Sequence, residues 1–158
     1  MIKLIKKSEL SDCLDIMKMA YEAGAIRFDK TEYNCPYRGR TRLPLSELEK
    51  ELHEGCQMYG YFYNDKQVGF LSLKFSDDTM GINDIAILPE CQNNGIGNTL
   101  MQFAKEEAEK NNCKIIRLGM IDDNTQLKKW YEKHGFKTVR LIKYETVSYT
   151  VGKMELVI

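Results

Sequence analysis

Asp84-Ile85-Ala86-Ile87-Leu88-Pro89-Glu90-Cys91-Gln92-Asn93-Asn94-Gly95-Ile96-Gly97-Asn98 says more about this chain than any other run of its sequence. It begins as an apolar strand, passes through a sharp polar turn with two glycines, and enters an amphipathic helix. A turn of this kind leaves several backbone N–H groups unpaired and aimed at one point. The helix behind it adds its positive dipole end, so the turn is suited to a phosphate or pyrophosphate. Glycine matters there because a Cβ would block close approach of the anion. The turn lacks the Gly-Lys-Ser/Thr ending of a nucleoside triphosphate loop. It also lacks the acidic residue about 20 positions on that a dinucleotide fold requires.

Toward the N-terminus, Ile2 to Ile5 reads as a strand, and Ser8 as the cap of a helix with Leu10, Leu14, Met17 and Tyr21 at helical spacing. Ser46-Glu47-Leu48-Glu49 has the form of a capping box, with Leu45, Leu48 and Leu52 as the apolar stripe and Gly55 as the stop. Strands are expected over 57–63, 67–75 and 82–88, separated by the turn residues Asn64-Asp65-Lys66 and Ser76-Asp77-Asp78. Ile96, Leu100, Phe103 and Ala104 share one face of the next helix. A buried strand over 114–120 and a helix over 125–133, closed by Gly135, come next. Two long strands, 136–144 and 148–157, finish the chain, and a shift of alternation near Gly152 predicts a β-bulge there. The order β-α-α-β-β-β-α-β-α-β-β predicts an α+β fold in three layers (α/β/α). Its central sheet is mixed, mostly antiparallel and of about seven strands, with helices on both faces.

The 158 residues fit a single domain spanning 1–158, with no repeat, low-complexity stretch or linker. Lys plus Arg and Asp plus Glu number 23 each, so no global field draws the chain to nucleic acid or an anionic membrane. No apolar run approaches the roughly 18 residues of a membrane span. Met1 to Lys7 is too short and charged for a signal peptide. The five cysteines (13, 35, 56, 91 and 113) lack metal-ligand spacing and read as free thiols of a cytoplasmic protein. His53 and His134 have no second ligand nearby, so no metal site is expected. His134 lies where a partial positive charge suits a helix end. Cys91 and Cys113 read as packing residues.

Gln92-Asn93-Asn94-Gly95-Ile96-Gly97 resembles the Gln/Arg-x-x-Gly-x-Gly/Ala signature of the GCN5-related N-acetyltransferase (GNAT) family. About 35 residues on, Tyr131-Glu132-Lys133-His134-Gly135-Phe136 is similar to that family's second landmark, a helix ending in Tyr-x-x-x-Gly-Phe. The resemblance is specific from about Met80 to Phe136. It implies the acyl-CoA N-acyltransferase fold, in which two central strands splay apart and the pantetheine arm pairs with exposed backbone. On this chain Ile85, Ala86 and Ile87 would supply that backbone, and Gln92, Asn93, Asn94, Gly95, Ile96, Gly97 and Asn98 would hold the pyrophosphate of acetyl-CoA. The implied activity is acetyl transfer to a primary amine by direct transfer in a ternary complex. The alternative is an acyl-CoA-binding sensor or interaction domain without turnover; a third reading keeps the fold and changes the acceptor to an alcohol or thiol.

The resemblance places Tyr131 near the CoA sulfur as general acid, and a phenol of pKa near 10 stays protonated at neutral pH. The competing reading is a core tyrosine stacked beside Trp130. Asn124 reads equally as a helix cap and as a contact to the pantetheine arm. Many relatives carry a glutamate on the fourth strand, at the positions held here by Gly81 and Asn83. Asp84 is expected to face the other way unless a one-residue bulge turns it inward. Asn83 is left as a candidate to position water, and the base is open. The Arg27 to Arg42 segment reads either as a solvated loop or as a lid whose Arg38 and Arg40 bind an anionic group on the acceptor. The acceptor that the resemblance implies is a small-molecule or peptide amine whose identity stays open, and the final strands are candidates for a homodimer contact.

Overall fold

The computed structural model describes residues 1–25, 38–145 and 147–158, with Ala25, Arg38 and Gly39 as backbone only. Seven strands form one sheet: β1 (Ile2–Leu4), β2 (Gln57–Tyr63), β3 (Lys66–Ser76), β4 (Thr79–Ile87), β5 (Ile115–Ile121), β6 (Lys137–Lys143) and β7 (Thr150–Val157). Their order is β1-β2-β3-β4-β5-β7-β6, antiparallel throughout except for the parallel pair β4·β5. The helices are α1 (Leu10–Ala25), α2 (Arg38–Thr41), α3 (Leu45–His53), α4 (Ile96–Lys110) and α5 (Thr125–Lys133).

The sheet is covered on both faces over β3 and β4. Gly69 of β3 faces Leu100 of α4, while Asp84, three positions of register away opposite Ser72, is reached by Tyr21 of α1. Because strand side chains alternate, these two helices lie on opposite faces. Val68, Phe70, Leu71 and Leu73 of β3 are accordingly all buried, a continuous apolar run rather than an alternating one. Leu10, Cys13, Leu14 and Met17 of α1 and Leu100, Met101, Ala104 and Ala108 of α4 complete the core.

Local chemistry sets most boundaries. Asn64 and Asp65 both have positive φ (48° and 61°), the hairpin geometry that matches strand twist. Gly55 and Gly135, at φ 92° and 94°, follow the ends of α3 and α5. Three expectations are corrected. Ser8 lies inside a 3₁₀ turn (Lys7–Glu9), closed instead by the Glu9 carboxylate accepting from the Lys6 N–H at 2.7 Å. The Ser46 capping box does not form: α3 already begins at Leu45, and the Pro44 carbonyl accepts from the Glu47 N–H. The final bulge lies in β6 at Val139, where the pairing jumps from Thr138 to Arg140, and not at Gly152. The buried face of β7 carries Gly152 and Met154 throughout, while Val151 lies on the other face and is half-buried, so the apolar pattern shifts without a change of register.

One irregularity positions the site. The β4·β5 ladder covers only Thr79↔Ile115, Met80↔Ile116 and Gly81↔Arg117, yet β4 runs on to Ile87 and β5 to Ile121. Beyond Gly81 the two strands diverge, and Ile82 to Ile87 turn one backbone edge into the gap.

Candidate acyl-CoA site

The gap opens into a groove of about 830 Å³ between α1, β4, the turn after β4, and α5. Ile85, Ala86 and Ile87 line it with their backbone edge, and Gln92, Asn93, Gly95, Gly97 and Asn98 line its far end. Asn94 and Ile96 sit in the same turn, and the Ile96 side chain is buried in the core.

The turn is locked by its own residues. Leu88 leads into a 3₁₀ turn (Pro89–Cys91), and the Gln92 side-chain amide donates to the Ile87 carbonyl at 3.1 Å. Asn93 and Gly95 take positive φ, 61° and 81°. A Cβ on Gly95 would meet nothing within 4 Å, so the space in front of it is open to a ligand. At Gly97 a Cβ would lie 3.3 Å from Trp130 and 3.4 Å from Ile87, so glycine lets the indole close over the turn. The first helical bond of α4 runs from the Thr99 N–H to the Gly95 carbonyl. The N–H groups of Ile96, Gly97 and Asn98 precede it and have no intrahelical acceptor. These donors and the strand edge fit a pyrophosphate followed by a chain of amides.

Asn98 ties α4 to α5. Its Oδ1 accepts from Trp130 Nε1 at 3.1 Å and lies 3.1 Å from His134 Nε2. Burial, then the charge of Lys105, pulls the His134 pKa below its ordinary value. His134 is the C-cap residue of α5, at the helix end where the sequence reading placed it, and this shift disfavours a charge on its ring. Asn124 caps α5, accepting from the Leu127 N–H at 3.1 Å, and also lines the groove. Tyr131 is buried, its ring edge-on to Trp130 (5.0 Å) and Phe136 (5.7 Å).

On the α1 side the sheet carries a polar cluster that the sequence did not disclose. β4 bulges at Asn83, which has no partner on β3: Ser72 pairs with Asp84 and Leu73 with Ile82. Asp84, 3% exposed, accepts from the Tyr21 hydroxyl at 2.9 Å and from Arg40 Nε at 3.0 Å, with Arg40 Nη2 on its other oxygen. Arg40 also donates to Glu51 at 2.9 Å. Burial lowers the guanidinium pKa, but Asp84 and Glu51 override it and hold Arg40 above its usual value. Burial first, then Asp84, pushes the Tyr21 phenol well above its ordinary pKa. The Asn83 amide reaches Cys56 Sγ at 3.5 Å. Arg40 thus spends its donors on two carboxylates of its own chain, while the Arg38 side chain lies outside the described residues, as do Cys35 and most of the expected lid. Tyr21 gave no sequence signal, since it reads as the last member of the α1 apolar stripe.

Among the described residues no group of His, Cys, Asp and Glu is placed to hold a metal, and no helix is long and apolar enough to cross a membrane. A family model described as "Acetyltransferase (GNAT) family" matches residues 25–136. The chain is 33% identical over 84 residues to the uncharacterized protein YxbD of Bacillus subtilis (strain 168), covering 52% of each. It thus spans about half the length of that curated relative. Among solved structures, PaiA N-acetyltransferase from Thermoplasma acidophilum in complex with coenzyme A aligns at TM-score 0.83 and 18% identity, covering 100% of this chain and 98% of that one. The ribosomal-protein-S18-alanine N-acetyltransferase of Escherichia coli aligns at TM-score 0.80 and 17% identity, over 100% and 93%. With the splayed sheet, the glycine turn and this family match in agreement, the chain belongs to the GNAT acetyltransferase family and has its fold.

Proposed function

We propose that residues 1–158 act as one acetyltransferase domain that moves an acetyl group from acetyl-CoA to a primary amine by direct transfer in a ternary complex. The divergence of β4 from β5 after Gly81 is the observation that carries this reading, because it opens a strand edge beside an anion-binding turn. Bound acetyl-CoA supplies an activated thioester. The chain's residues would do the rest. The edge of Ile85, Ala86 and Ile87 would pair with the amides of the pantetheine arm. The turn from Gln92 to Asn98 would hold the pyrophosphate, and Asn124 would border the arm. The new C–N bond forms as the C–S bond breaks, and Tyr131 would give its phenolic proton to the departing thiolate. Asn83, at the bulge, is the candidate to hold the water that takes the amine's surplus proton. Arg40 would serve the acceptor side by positioning Asp84 and Tyr21.

One observation favours the second reading, an acyl-CoA sensor without turnover: Asp84 is already engaged by Arg40 and Tyr21. Mass spectrometry of acetyl-CoA incubated with the protein and a panel of amino acids, polyamines, aminoglycosides and short peptides separates the two. Acetylated product that falls about tenfold to a thousandfold in rate with Tyr131→Phe, at unchanged acetyl-CoA affinity, is the expected result. Tight acetyl-CoA binding with no product from any amine supports the sensor.

A further inference from the structure

The sheet carries a cluster of exposed cations where no described helix covers it. On the face shared by Arg117 and Gly119 of β5, the register brings Lys153 and Glu155 of β7 and Lys137 and Arg140 of β6 side by side. The bulge at Val139 is what returns Arg140 to this face after Lys137. One row is Arg117–Glu155–Lys137, in which Glu155 bonds to Arg117 at 2.9 Å. The next is Gly119–Lys153–Arg140, in which two cations stand directly opposite each other. Like charges in that relation destabilise an antiparallel pair. Arg117, Lys137, Arg140 and Lys153 are exposed, and among the described residues no carboxylate pairs with Lys137, Arg140 or Lys153. The chain as a whole is neutral, so this local excess is not a general surplus.

The patch abuts the opening. Arg117 is paired with Gly81, the last residue before β4 and β5 part, and the Lys153 side chain lies across Gly119, its Nζ 3.2 Å from where a Cβ there would stand. α1 packs over β3 and β4, leaving this part of the face uncovered by it. Three strands at about 4.8 Å spacing span several residues of an extended chain rather than one small amine. With Glu155 between the cations, it does not offer the uniform basic track that a phosphate backbone needs.

We infer that this face docks the acceptor, a peptide or protein segment bearing Asp or Glu side chains close to its reactive amine. The inference rests on the proposed acetyl transfer and adds the acceptor class to it. An anionic segment is attracted by Lys137, Arg140 and Lys153 and draws the amine to the opening, an effect that weakens with salt.

The test uses the full chain, acetyl-CoA and short peptides of equal length whose amine is followed by acidic, neutral or basic residues. Acetylation is read by mass spectrometry, and binding of each fluorescent peptide to the CoA-loaded protein by anisotropy. The expected result is kcat/KM at least about tenfold higher for the acidic peptide at low salt, declining as salt rises. The double variant Arg140→Glu, Lys153→Glu should lose that preference while its acetyl-CoA affinity stays unchanged. Equal rates for neutral and acidic peptides, or a preference retained in the double variant, overturn the docking assignment and leave acetyl transfer standing. Salt-sensitive binding of the acidic peptide without turnover, lost in the double variant, keeps the docking face and overturns acetyl transfer to it. Tighter binding of an RNA oligomer of equal charge overturns the choice of peptide.

Discussion

At the scale of single residues, the sharpest question is what Asp84 is for. Its carboxylate is the acceptor for both Tyr21 and Arg40, and removing it takes away the charge partner that Arg40 has besides Glu51 and an acceptor of the Tyr21 hydroxyl. Asp84→Ala should therefore lose about 3 kcal/mol in urea denaturation, and Asp84→Asn less, since its amide oxygen still accepts from Tyr21. Equal losses would mean that the negative charge alone, and neither the volume nor the acceptor oxygen that asparagine keeps, is what the site needs. The sequence left Asp84 between two orientations because alternation alone cannot see a bulge; the extra residue, Asn83, is visible only in the pairing with β3. Alkali offers a second test. Burial raises the Cys13 thiol from 9.0 to about 11 and, before the charge of Glu107, the Tyr59 phenol from 10.0 to about 12. Both groups hold their proton more tightly folded than unfolded. Their contribution is complete below the unfolded pKa and is lost as pH rises through the folded one. Stability should fall from about pH 9 to about pH 12, and Tyr59→Phe should flatten the upper part of the decline.

At the scale of elements, the anion-binding turn makes its own prediction. Gly95 has φ 81° and open space before it, so a side chain there carries two separable penalties, backbone strain and obstruction of the ligand. Alanine suffers both, whereas asparagine tolerates the left-handed conformation far better. Gly95→Ala should lower stability by about 1 kcal/mol and Gly95→Asn by less. Both should weaken acetyl-CoA binding by calorimetry at least about tenfold. Retained affinity in Gly95→Asn would mean that the phosphates do not approach this residue. Asn124→Ala should cost about 1 kcal/mol through the lost cap on α5. Elements whose ends carry a strong local signal were legible: α5 occupies 125–133 as read, between an asparagine cap and Gly135. The Ser46 box misled because α3 starts two residues earlier, with Pro44 as its N-cap, which a pattern of side-chain oxygens does not reveal.

For the whole molecule, the consequence of the splay is mechanical. Three register pairs join β4 to β5, against eight between β3 and β4. The motifs on either side of this seam were readable, but the seam itself depends on contacts between distant segments, which no local pattern encodes. A ligand that pairs with Ile85, Ala86 and Ile87 and is held by the turn would bridge the two half-sheets. At a concentration 100-fold above its Kd it would add about 2.7 kcal/mol, provided it does not bind the unfolded chain. For a chain of this size that corresponds to a rise in Tm of roughly 5–10 °C. Every tight ligand raises Tm, so location is the discriminating readout. Amide exchange should slow at 85–87 and 96–98 when acetyl-CoA binds, and stay unchanged at 79–81, where the ladder is already closed. Slowing spread evenly over all strands would indicate general stabilisation rather than closure of the seam. Protection confined to 96–98 would indicate that the turn holds the phosphates while the pantetheine arm runs elsewhere, and the proposed pairing along β4 would be wrong.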